Sequence, residues 1–591
     1  MLGNVIGIED NKVLVKLSVD LANLDSIVNN YVMFIDEDKQ MVGEVIDIKD
    51  NIAYVNLAGE IIDNTFRGGV ILKPSFKSKV ELVDKDKIGM ILSEDGDESH
   101  ILYMGNNPIY KGLKINVNVN NFFSHHFAIF GSTGGGKSCG TARIIQNLYD
   151  KKNAIAYKSN LIIFDAYGEY HNAFKDINKS NPYISFKAYT TNLEFADTDV
   201  LQIPFWLLGV DDIALLLGAD TPSQLPIIET ALKLVTVFAR EEELVLKHKN
   251  DIIARALLDI FTSGNSASQT RDHITSVLSR YNTKDLNLET PIFQPGYTRP
   301  FRQCLLIDGT GKIRDMELLI SFLEKFLDDN LELNLPDGSF PYTIRDFNSA
   351  LEFSLINEGI LKSSKVYDEC NVLKTRLNKI VNSDTVKYFE YDEYVTKEDY
   401  IRKLLEAPNG KKAQIINFNI NYIDDRLAKT IVKMYSKLFY DYVKEHRKDN
   451  SMPFHIILEE AHRYVQNDSD NQLLGYNIFE RIAKEGRKYG IILGLISQRP
   501  CELSETCLSQ CNNFLVFKML HPKDIEYIRE MIPNVTTEII KRLKILQAGT
   551  CMAFGLAFKV PMFIKFDMPN PSPSSSSCNL TTEWFMKVQN K

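Results

Sequence analysis

Residues 127–138 read FAIFGSTGGGKS, and this stretch decides the fold. Its last eight letters match the phosphate-binding P-loop pattern G-x-x-x-x-G-K-[S/T] at every fixed position. The apolar run 127–130 comes immediately before the glycines, and residues 138–149 continue with apolar side chains at helical spacing. Strand, loop and helix in this order predict the nucleotide-phosphate corner of an α/β domain.

The residue types of this loop suit phosphate chemistry. Glycines let backbone N–H groups turn inward around a phosphate, and the following helix directs its positive end at the anion. Lys137 is expected to reach the β- and γ-phosphates, and the Ser138 hydroxyl to bind Mg²⁺. The expected ATP-binding residues of the loop are Gly131, Ser132, Thr133, Gly134, Gly135, Gly136, Lys137, Ser138 and Cys139. The loop therefore implies ATP and Mg²⁺ as ligands.

A pair of acids distinguishes hydrolysis from the kinase or GTPase chemistry that a P-loop alone would allow. The apolar run 454–458 leads directly into Glu459 and Glu460. A carboxylate at the strand tip can hold Mg²⁺ through water, and the next one can polarise the attacking water. This arrangement is that of hydrolytic ATPases with an extra strand between the two Walker elements. The alternative is an ordinary acidic helix start, because Glu favours the first helical turn.

Asp165 ends a third apolar run, residues 161–164. If this strand neighbours the P-loop strand, Asp165 lies beside the P-loop, and we expect it to contribute to nucleotide binding. Glu169, four residues later, could simply cap the following segment.

Two further polar residues flank the apolar run 491–496. Gln498 follows it and can hydrogen-bond the γ-phosphate or the attacking water, although it could also be a turn residue before Pro500. Arg487 precedes it in the basic run 484–488, which is either a solvated helix end or the source of an arginine finger. A finger donated to a neighbour's ATP requires an oligomer.

The pattern of apolar runs predicts the domain organisation. Short alternating runs between turn signals predict a small β-barrel, at residues 4–8, 12–17, 31–35, 41–48, 52–57 and 69–72. Strand-like runs separated by helical ones predict a parallel sheet, at residues 127–130, 161–164, 414–418, 454–458, 491–496 and 513–518. Mostly helical spacing occupies the region between the two halves of this sheet, for example at 225–246, 252–261, 315–330 and 366–381.

The fold class is therefore α/β, a RecA-like P-loop ATPase core with an N-terminal small β-barrel and a helical insertion. The expected domains are the barrel at 1–95, the core at 96–205 and 401–568, the insertion at 206–400, and a C-terminal tail at 569–591.

Composition limits the classes of function. The chain has 591 residues with 44% hydrophobic and 25% charged side chains, which excludes wholesale disorder and fibrous classes. Lys+Arg 68 against Asp+Glu 77 gives a net charge of −9, so any contact with nucleic acid must come from a local patch or an enclosed channel. An apolar run of ~18 residues, the length that spans a bilayer, is absent from the sequence, and no signal peptide is evident. We expect no membrane association and a cytoplasmic protein.

The motifs together resemble the HerA branch of the HerA/FtsK ATPases. The resemblance rests on the lead-in and P-loop at 126–134, the DxxGEY strand at 165–170, the acids at 458–462, the segments 482–490 and 497–500, residues 508–513, and the closing segment 549–555. It covers residues 100–205 and 401–570. One departure is His125, which stands where the family often has an Arg. If that Arg normally touches a neighbour's phosphate, the contact between subunits here is weaker or pH-sensitive.

The resemblance implies a homohexameric ring that threads double-stranded DNA through a central channel and hydrolyses ATP. Carried over by position, Glu460 is the catalytic base, Glu459 supports Mg²⁺, Gln498 is the sensor, and Arg487 is the finger acting in trans. Lys137 and Ser138 bind phosphate and Mg²⁺. The implied partner is a NurA-like nuclease in DNA end processing, or an effector such as a nuclease or sirtuin-type NAD hydrolase in anti-phage (antiviral) defence.

Three hypotheses of function follow. The first is a DNA-translocating helicase motor paired with such a partner. The second is an ATP-gated hexameric scaffold that assembles and activates the partner, with translocation secondary. A secretion ATPase of the related conjugation branch is less favoured because the sequence has no transmembrane segment. Fold analogy favours the first hypothesis, and fold does not determine the substrate.

Overall fold

The structure is a computed structural model. It describes residues 2–9, 12–18, 27–37, 39–194, 198–240, 243–329, 341–361, 364–446, 452–468, 470–531, 537–574, 580 and 584.

Strands and helices of these residues are numbered in chain order. The strands are β1 (Gly3–Glu9), β2 (Lys12–Leu17), β3 (Tyr31–Ile35), β4 (Gln40–Lys49), β5 (Ile52–Ile62), β6 (Thr65–Gly68), β7 (Lys79–Leu82), β8 (Ile101–Asn106), β9 (Lys114–Asn118), β10 (His126–Phe130), β11 (Asn160–Asp165), β12 (Phe186–Thr190), β13 (Asp199–Val200), β14 (Pro291–Gln294), β15 (Tyr297–Pro300), β16 (Ile415–Asn419), β17 (Phe454–Leu458), β18 (Ile491–Ser497), β19 (Cys511–Val516), β20 (Thr550–Gly555) and β21 (Met562–Lys565). The α-helices are α1 (Lys85–Leu92), α2 (Val119–Phe123), α3 (Lys137–Tyr149), α4 (His171–Phe174), α5 (Ile177–Ser180), α6 (Val210–Leu217), α7 (Gln224–Phe238), α8 (Glu243–Thr262), α9 (Ala267–Arg280), α10 (Phe301–Cys304), α11 (Met316–Glu324), α12 (Ile344–Leu361), α13 (Ser364–Val381), α14 (Lys397–Leu404), α15 (Asp425–Glu445), α16 (Asp470–Leu473), α17 (Ile478–Tyr489), α18 (Glu505–Ser509), α19 (Pro522–Met531) and α20 (Thr537–Leu543).

The N-terminal strands form a closed barrel. Its order is β2-β1-β7-β3-β4-β5, and pairing of β2 with β5 closes the ring, so these six strands have no free edge among themselves. Val13, Val15 and Phe34 are among the fully buried side chains that fill the interior. The predicted barrel is therefore present, and it has a core of its own.

One predicted barrel strand is wrong. Residues 69–72 are not a strand; the strand is β6, which pairs with β5 outside the closed ring. Gly69 has a left-handed backbone with φ +89°, which ends β6. The backbone N–H groups of Ile71 and Leu72 then donate to Oε1 of Glu60 (2.9 and 3.4 Å) instead of to a neighbouring strand. The strand that completes the barrel is β7, which the apolar pattern did not indicate.

A twelve-stranded sheet forms the core, in the order β13-β12-β16-β11-β17-β18-β10-β19-β20-β21-β8-β9. Its first eight strands are parallel, and the remaining four pair antiparallel. All six strand runs predicted for the sheet are confirmed, as is the α/β class. The P-loop strand β10 lies between β18 and β19, at the centre of the sheet, and every residue of β10 and β17 is buried.

Strand register places the functional loops at one edge. β18 lies between β10 and β17, which confirms the extra strand expected between the two Walker elements. Phe130 pairs with Ser497, and Leu458 pairs with Leu495. Because these strands are parallel, the segments that follow β10, β17 and β18 leave the sheet on the same side.

The strand that ends in Asp165, β11, does not neighbour the P-loop strand β10, which was the condition for placing Asp165 beside the P-loop. β11 pairs with β16 and β17, and both β17 and β18 separate it from β10. Asp165, at the end of β11, therefore lies beside the acid pair of β17 and not beside the P-loop strand.

The chain divides into two compact units. The first contains the barrel and the core sheet, and the second consists of the described residues of 201–402 and 470–476. The second unit is mainly helical, with buried apolar residues such as Ile228, Leu351 and Leu373 on α7, α12 and α13. The predicted helix 225–246 is instead α7 and α8, which are separate helices, and the hairpin of β14 and β15 interrupts the helical pattern.

No helix in the described part of the chain is both long enough and apolar enough to cross a lipid bilayer.

A buried histidine in β17 predicts acid sensitivity of the fold. His455 is 8% exposed; its Nε2–H donates to the Phe123 carbonyl (2.7 Å), and burial lowers its pKa to about 4. The unfolded chain, with a His pKa of about 6.5, binds more protons below neutrality, so stability falls as pH falls from about 7 towards 4. Between pH 7 and pH 5 this single group should cost about 2 kcal/mol.

Denaturant unfolding of wild type and His455→Gln at both pH values measures this contribution. The amide of Gln retains a donor for the Phe123 carbonyl and does not titrate. We expect wild type to lose about 2 kcal/mol more than the variant between pH 7 and pH 5. The same change at the exposed His446 serves as the control, and equal losses in wild type and His455→Gln would contradict the prediction.

Candidate ATP-hydrolysis site

The P-loop connects β10 to α3 through backbone conformations that favour glycine. Gly134 and Gly136 have φ of +73° and +106°, and α3 begins directly at Lys137. A Cβ on Gly136 would lie 2.7 Å from the backbone nitrogen of Gly549, and that nitrogen donates to the Gly135 carbonyl (3.1 Å). The loop is therefore packed against the segment before β20, and the N-terminus of α3 follows it directly, an arrangement that favours binding of an anion.

Lys137 lies at the base of this loop. Its Nζ donates to the Gly131 carbonyl at 2.8 Å, with the Ser132 carbonyl at 3.5 Å. Burial lowers the pKa of the Lys137 ammonium, whereas the charges of Glu460 and Glu459 oppose that shift. The side chain thus places a cation between the P-loop and the two acids at the end of β17.

Glu459 continues β17 and is 4% exposed. The Ser138 hydroxyl lies 3.5 Å from its Oε1, and its Oε2 accepts no hydrogen bond from the described residues. Burial, followed by the nearby carboxylate of Asp165, raises the pKa of Glu459 well above its ordinary value. A buried carboxylate oxygen without a donor, next to a P-loop serine, fits a Mg²⁺ ligand, because a cation would compensate for its desolvation.

Mg²⁺ in such sites needs few protein ligands. Among the described residues there is no group of three or more His, Cys, Asp or Glu side chains arranged to hold a metal ion. Mg²⁺ usually keeps several waters and binds one or two carboxylates together with substrate phosphates. Ser138 and Glu459 are sufficient for that mode, and they are the two ligands predicted from the sequence.

Glu460 adopts a strained backbone conformation. Its φ is +48°, in the left-handed region, which costs a non-glycine residue roughly 1–2 kcal/mol. Oε1 accepts a hydrogen bond from Nε2 of Gln498 (3.3 Å), and Oε2 lies 3.3 Å from Nδ1 of His462. Burial raises the pKa of Glu460, and the charges of Lys137 and Arg463 oppose the rise. The turn therefore holds a desolvated carboxyl group of raised pKa at the end of β17, next to Gln498 and His462, and a carboxyl of raised pKa suits a general base.

The sensor candidate Gln498 lies between the acid pair and the P-loop. It follows β18, and its Oε1 accepts a hydrogen bond from the Thr133 hydroxyl (2.9 Å). Gln498, Glu460 and Thr133 thus form one chain of hydrogen bonds. The structure brings together the P-loop residues, Glu459, Glu460 and Gln498.

Asp165 is fully buried and is used by the chain itself. Its two carboxylate oxygens accept hydrogen bonds from the backbone N–H groups of Glu169 (3.0 Å) and Tyr170 (2.8 Å), and Asn417 donates to it as well (3.2 Å). It therefore anchors the loop after β11 and lies in electrostatic contact with Glu459. Direct nucleotide contact by Asp165 stays a prediction.

Two neighbours of the site were not assigned a role from the sequence. Glu169 lies close enough to raise the pKa values of Glu459 and Glu460, so the site contains a further negative charge. His462 approaches Glu460, and its Nδ1 lies 3.1 Å from the hydroxyl of Ser497. His462 could have been assigned to the site from the sequence, because it follows the acid pair by only two residues. A spacing of four residues after Asp165 did not indicate that Glu169 returns to the site.

Residues 569–574, the first part of the predicted C-terminal tail, contact both the P-loop helix α3 and the loop after β11. Gln146 of α3 accepts a hydrogen bond from the Asn570 N–H (3.0 Å) and donates to the Pro571 carbonyl (2.8 Å). The backbone N–H of Ser574 donates to the Glu169 carbonyl (2.9 Å). The first part of the predicted C-terminal tail therefore ties the P-loop helix to the loop after β11, and most of the rest of that tail lies outside the described residues.

Arg487 lies away from this cluster. It occupies the last turn of α17, which ends at the left-handed Gly490 before β18 begins. Gln498 follows the opposite end of β18, and seven strand residues at ~3.3 Å each separate the two by about 20 Å. The structure does not bring Arg487 to the P-loop of its own chain.

The exposed Arg487 borders a groove of about 670 Å³ at the other edge of the sheet. The groove is also lined by His100, Asn118 and Ser124. His125, the departure from the family pattern, lies near Arg487: burial and the positive charge of Arg487 both lower its pKa. Within the described chain, a finger role for Arg487 is compatible only with a nucleotide held by another subunit.

Comparisons with known proteins identify similar chains. Residues 100–294 match the family model for the central domain of helicase HerA. The DNA double-strand break repair helicase HerA of Pyrococcus furiosus is 23% identical over 550 residues, which cover 92% of this chain and 82% of that protein. The probable DNA double-strand break repair helicase HerA of Methanocaldococcus jannaschii is 24% identical over 514 residues, covering 86% and 83%. Among solved structures, VirB4 of Thermoanaerobacter pseudethanolicus is 13% identical, with a TM-score of 0.44 over 80% of this chain and 98% of that one.

Proposed function

We propose that the chain is a HerA-type P-loop ATPase that hydrolyses ATP to drive double-stranded DNA through a homohexameric ring. The observation that carries the hydrolytic part is the convergence of Lys137, Glu459 and Glu460 at one sheet edge. β18 lies between β10 and β17, the strand order of hydrolytic ATPases with an extra strand between the two Walker elements.

The chain's own residues have separate tasks in this reaction. The P-loop N–H groups and Lys137 would bind the phosphates, and Ser138 and Glu459 would hold Mg²⁺. When bound there, Mg²⁺ would supply positive charge next to the phosphates. Glu460 accepts the proton of the attacking water, and Gln498 orients that water or the γ-phosphate.

The position of Arg487 supports an oligomer if this residue acts as the finger. Its guanidinium can complete an active site only in a second subunit, because about 20 Å of strand separates it from its own P-loop edge. A head-to-tail interface of this kind is heterologous and closes into a ring when the rotation permits. We take the number of subunits, six, and the DNA channel from the resemblance to HerA-type proteins.

Purified full-length protein tests the function directly. ATP hydrolysis is measured with and without linear duplex DNA at low salt, with Lys137→Ala as the control for contaminating activity. We expect duplex to raise the rate, and the effect to weaken as salt rises, because contacts to phosphates depend on ionic strength. The ATP-gated scaffold would be favoured instead if the oligomer does not bind duplex DNA and duplex DNA leaves its hydrolysis rate unchanged.

We also propose that the motor serves a partner enzyme. The resemblance to HerA-type proteins supports a NurA-like nuclease or a defence effector in this role. Affinity purification of the full-length chain from its native host, followed by mass spectrometry, tests it. We expect a stoichiometric nuclease or NAD hydrolase; a homo-oligomer that co-purifies with neither would contradict this part of the proposal.

A further inference from the structure

Two hydrogen bonds link the tip of the P-loop to the acid that follows β17. The Thr133 hydroxyl donates to Oε1 of Gln498 (2.9 Å), and Nε2 of Gln498 donates to Oε1 of Glu460 (3.3 Å). The link is possible because β10 and β18 pair directly, so that the loop after β10 and the residue after β18 are neighbours. Thr133 therefore contacts the hydrolytic machinery through its side chain and not only through its backbone.

Chemistry determines the orientation of the amide in this link. A carboxylate only accepts hydrogen bonds, so the NH₂ end of Gln498 must face Glu460. The carbonyl end then faces Thr133, whose hydroxyl is the only group of that side chain able to donate to it. The reversed amide would oppose two acceptor oxygens, Oε1 of Gln498 and Oε1 of Glu460.

No other hydrogen bond to the Gln498 side chain is present within the described chain. The terminal amide torsion of Gln is broad and roughly twofold, so its backbone conformation alone does not select one orientation. Without the Thr133 hydroxyl, the carbonyl end of Gln498 would have no hydrogen-bond partner from the described residues. The amide could then rotate its NH₂ end away from Glu460.

We propose that Thr133 is a positioning residue for hydrolysis, whose hydroxyl orients the Gln498 amide with its donor end towards Glu460. The inference rests on the proposed ATPase function. It separates two tasks within one loop: the backbone N–H groups bind phosphate, and the Thr133 side chain orients the sensor. A mutation at Thr133 should then affect turnover more than ATP affinity.

Thr133→Val and Thr133→Ser in the full-length protein test this separation by steady-state ATP hydrolysis. Val keeps the branched shape and removes the hydroxyl, whereas Ser keeps the hydroxyl and removes a methyl group. We expect Thr133→Val to lower kcat roughly five- to tenfold, the value of one hydrogen bond, with KM for ATP within about twofold of wild type. Thr133→Ser should restore most of kcat.

A double variant shows whether Thr133 acts through Gln498. Thr133→Val combined with Gln498→Ala should be no slower than Gln498→Ala alone, because the group being oriented is already absent. Multiplicative losses, or a raised KM with unchanged kcat, would overturn the positioning role. A wild-type protein without ATPase activity would refute the proposed function itself, whereas active wild type with an equally active Thr133→Val refutes only this inference.

Discussion

Glu460→Gln is expected to lower ATP turnover by about 10²–10⁴-fold, the contribution typical of a general base, while ATP binding persists. The substituted amide is almost isosteric and still offers an oxygen to Nε2 of Gln498, so the hydrogen bond at 3.3 Å can be kept. It cannot accept a proton from water. Lys137 and the P-loop backbone, which bind the phosphates in the proposed mechanism, are unchanged.

Single-turnover hydrolysis and equilibrium titration with a fluorescent ATP analogue measure the two effects separately. Glu526→Gln, the same chemical change at an exposed position of α19, is the control and should behave as wild type. A Glu460→Gln protein that retains more than about a tenth of the wild-type rate would assign the base to another residue.

Arg487→Ala is expected to reduce hydrolysis by about 10³-fold or more, the usual contribution of an arginine finger. The physical reason is the loss of a cation that stabilises charge on the transferring phosphoryl group. Lys488→Ala is the control, because it removes a cation from the adjacent exposed position at the same helix end. This variant should retain most of the activity, since a lysine that only lies near the groove does not contact the phosphate.

Mixing two inactive variants decides between action in cis and in trans. In an equimolar mixture of Arg487→Ala and Glu460→Gln chains, a site has an intact base with probability one half and an intact neighbouring finger with probability one half. About a quarter of the wild-type rate should therefore return if subunits exchange and sites act independently. Absence of recovery, with exchange verified by native mass spectrometry, would rule out a finger in trans.

The parts of the fold that local sequence signals determine could be predicted. The run 127–138 combines a buried strand, a glycine loop and a helix start, and the run 454–460 combines a buried strand and two acids. Few local structures are compatible with each pattern. The two strands, and the position of their carboxyl ends at the same edge of the sheet, could therefore be predicted. The extra strand β18 between them is confirmed as well.

The parts that depend on long-range pairing could not be predicted. The position of β11 next to β17 depends on how the chain crosses over the sheet, and neighbouring residues of Asp165 do not encode that choice. The strand β7 has only four residues and one buried apolar side chain, Val80, so its pattern is too short to recognise. The return of Glu169 to the acid pair depends on the Asp165 anchor, which is visible only in three dimensions.

β18 has a mechanical consequence for communication between nucleotide sites. All seven of its residues are buried, and it is hydrogen-bonded to β17 on one side and β10 on the other, so the pairing fixes its register and the separation of its two ends. Arg487 stands before one end of this strand and Gln498 after the other. A ring built through Arg487 would therefore place one strand of each subunit between successive ATP molecules, with Gln498 near one ATP and the guanidinium near the next. Neighbouring sites would then communicate through the sheet as a unit, because β18 cannot slide past β10 and β17 without breaking the hydrogen bonds on both of its sides.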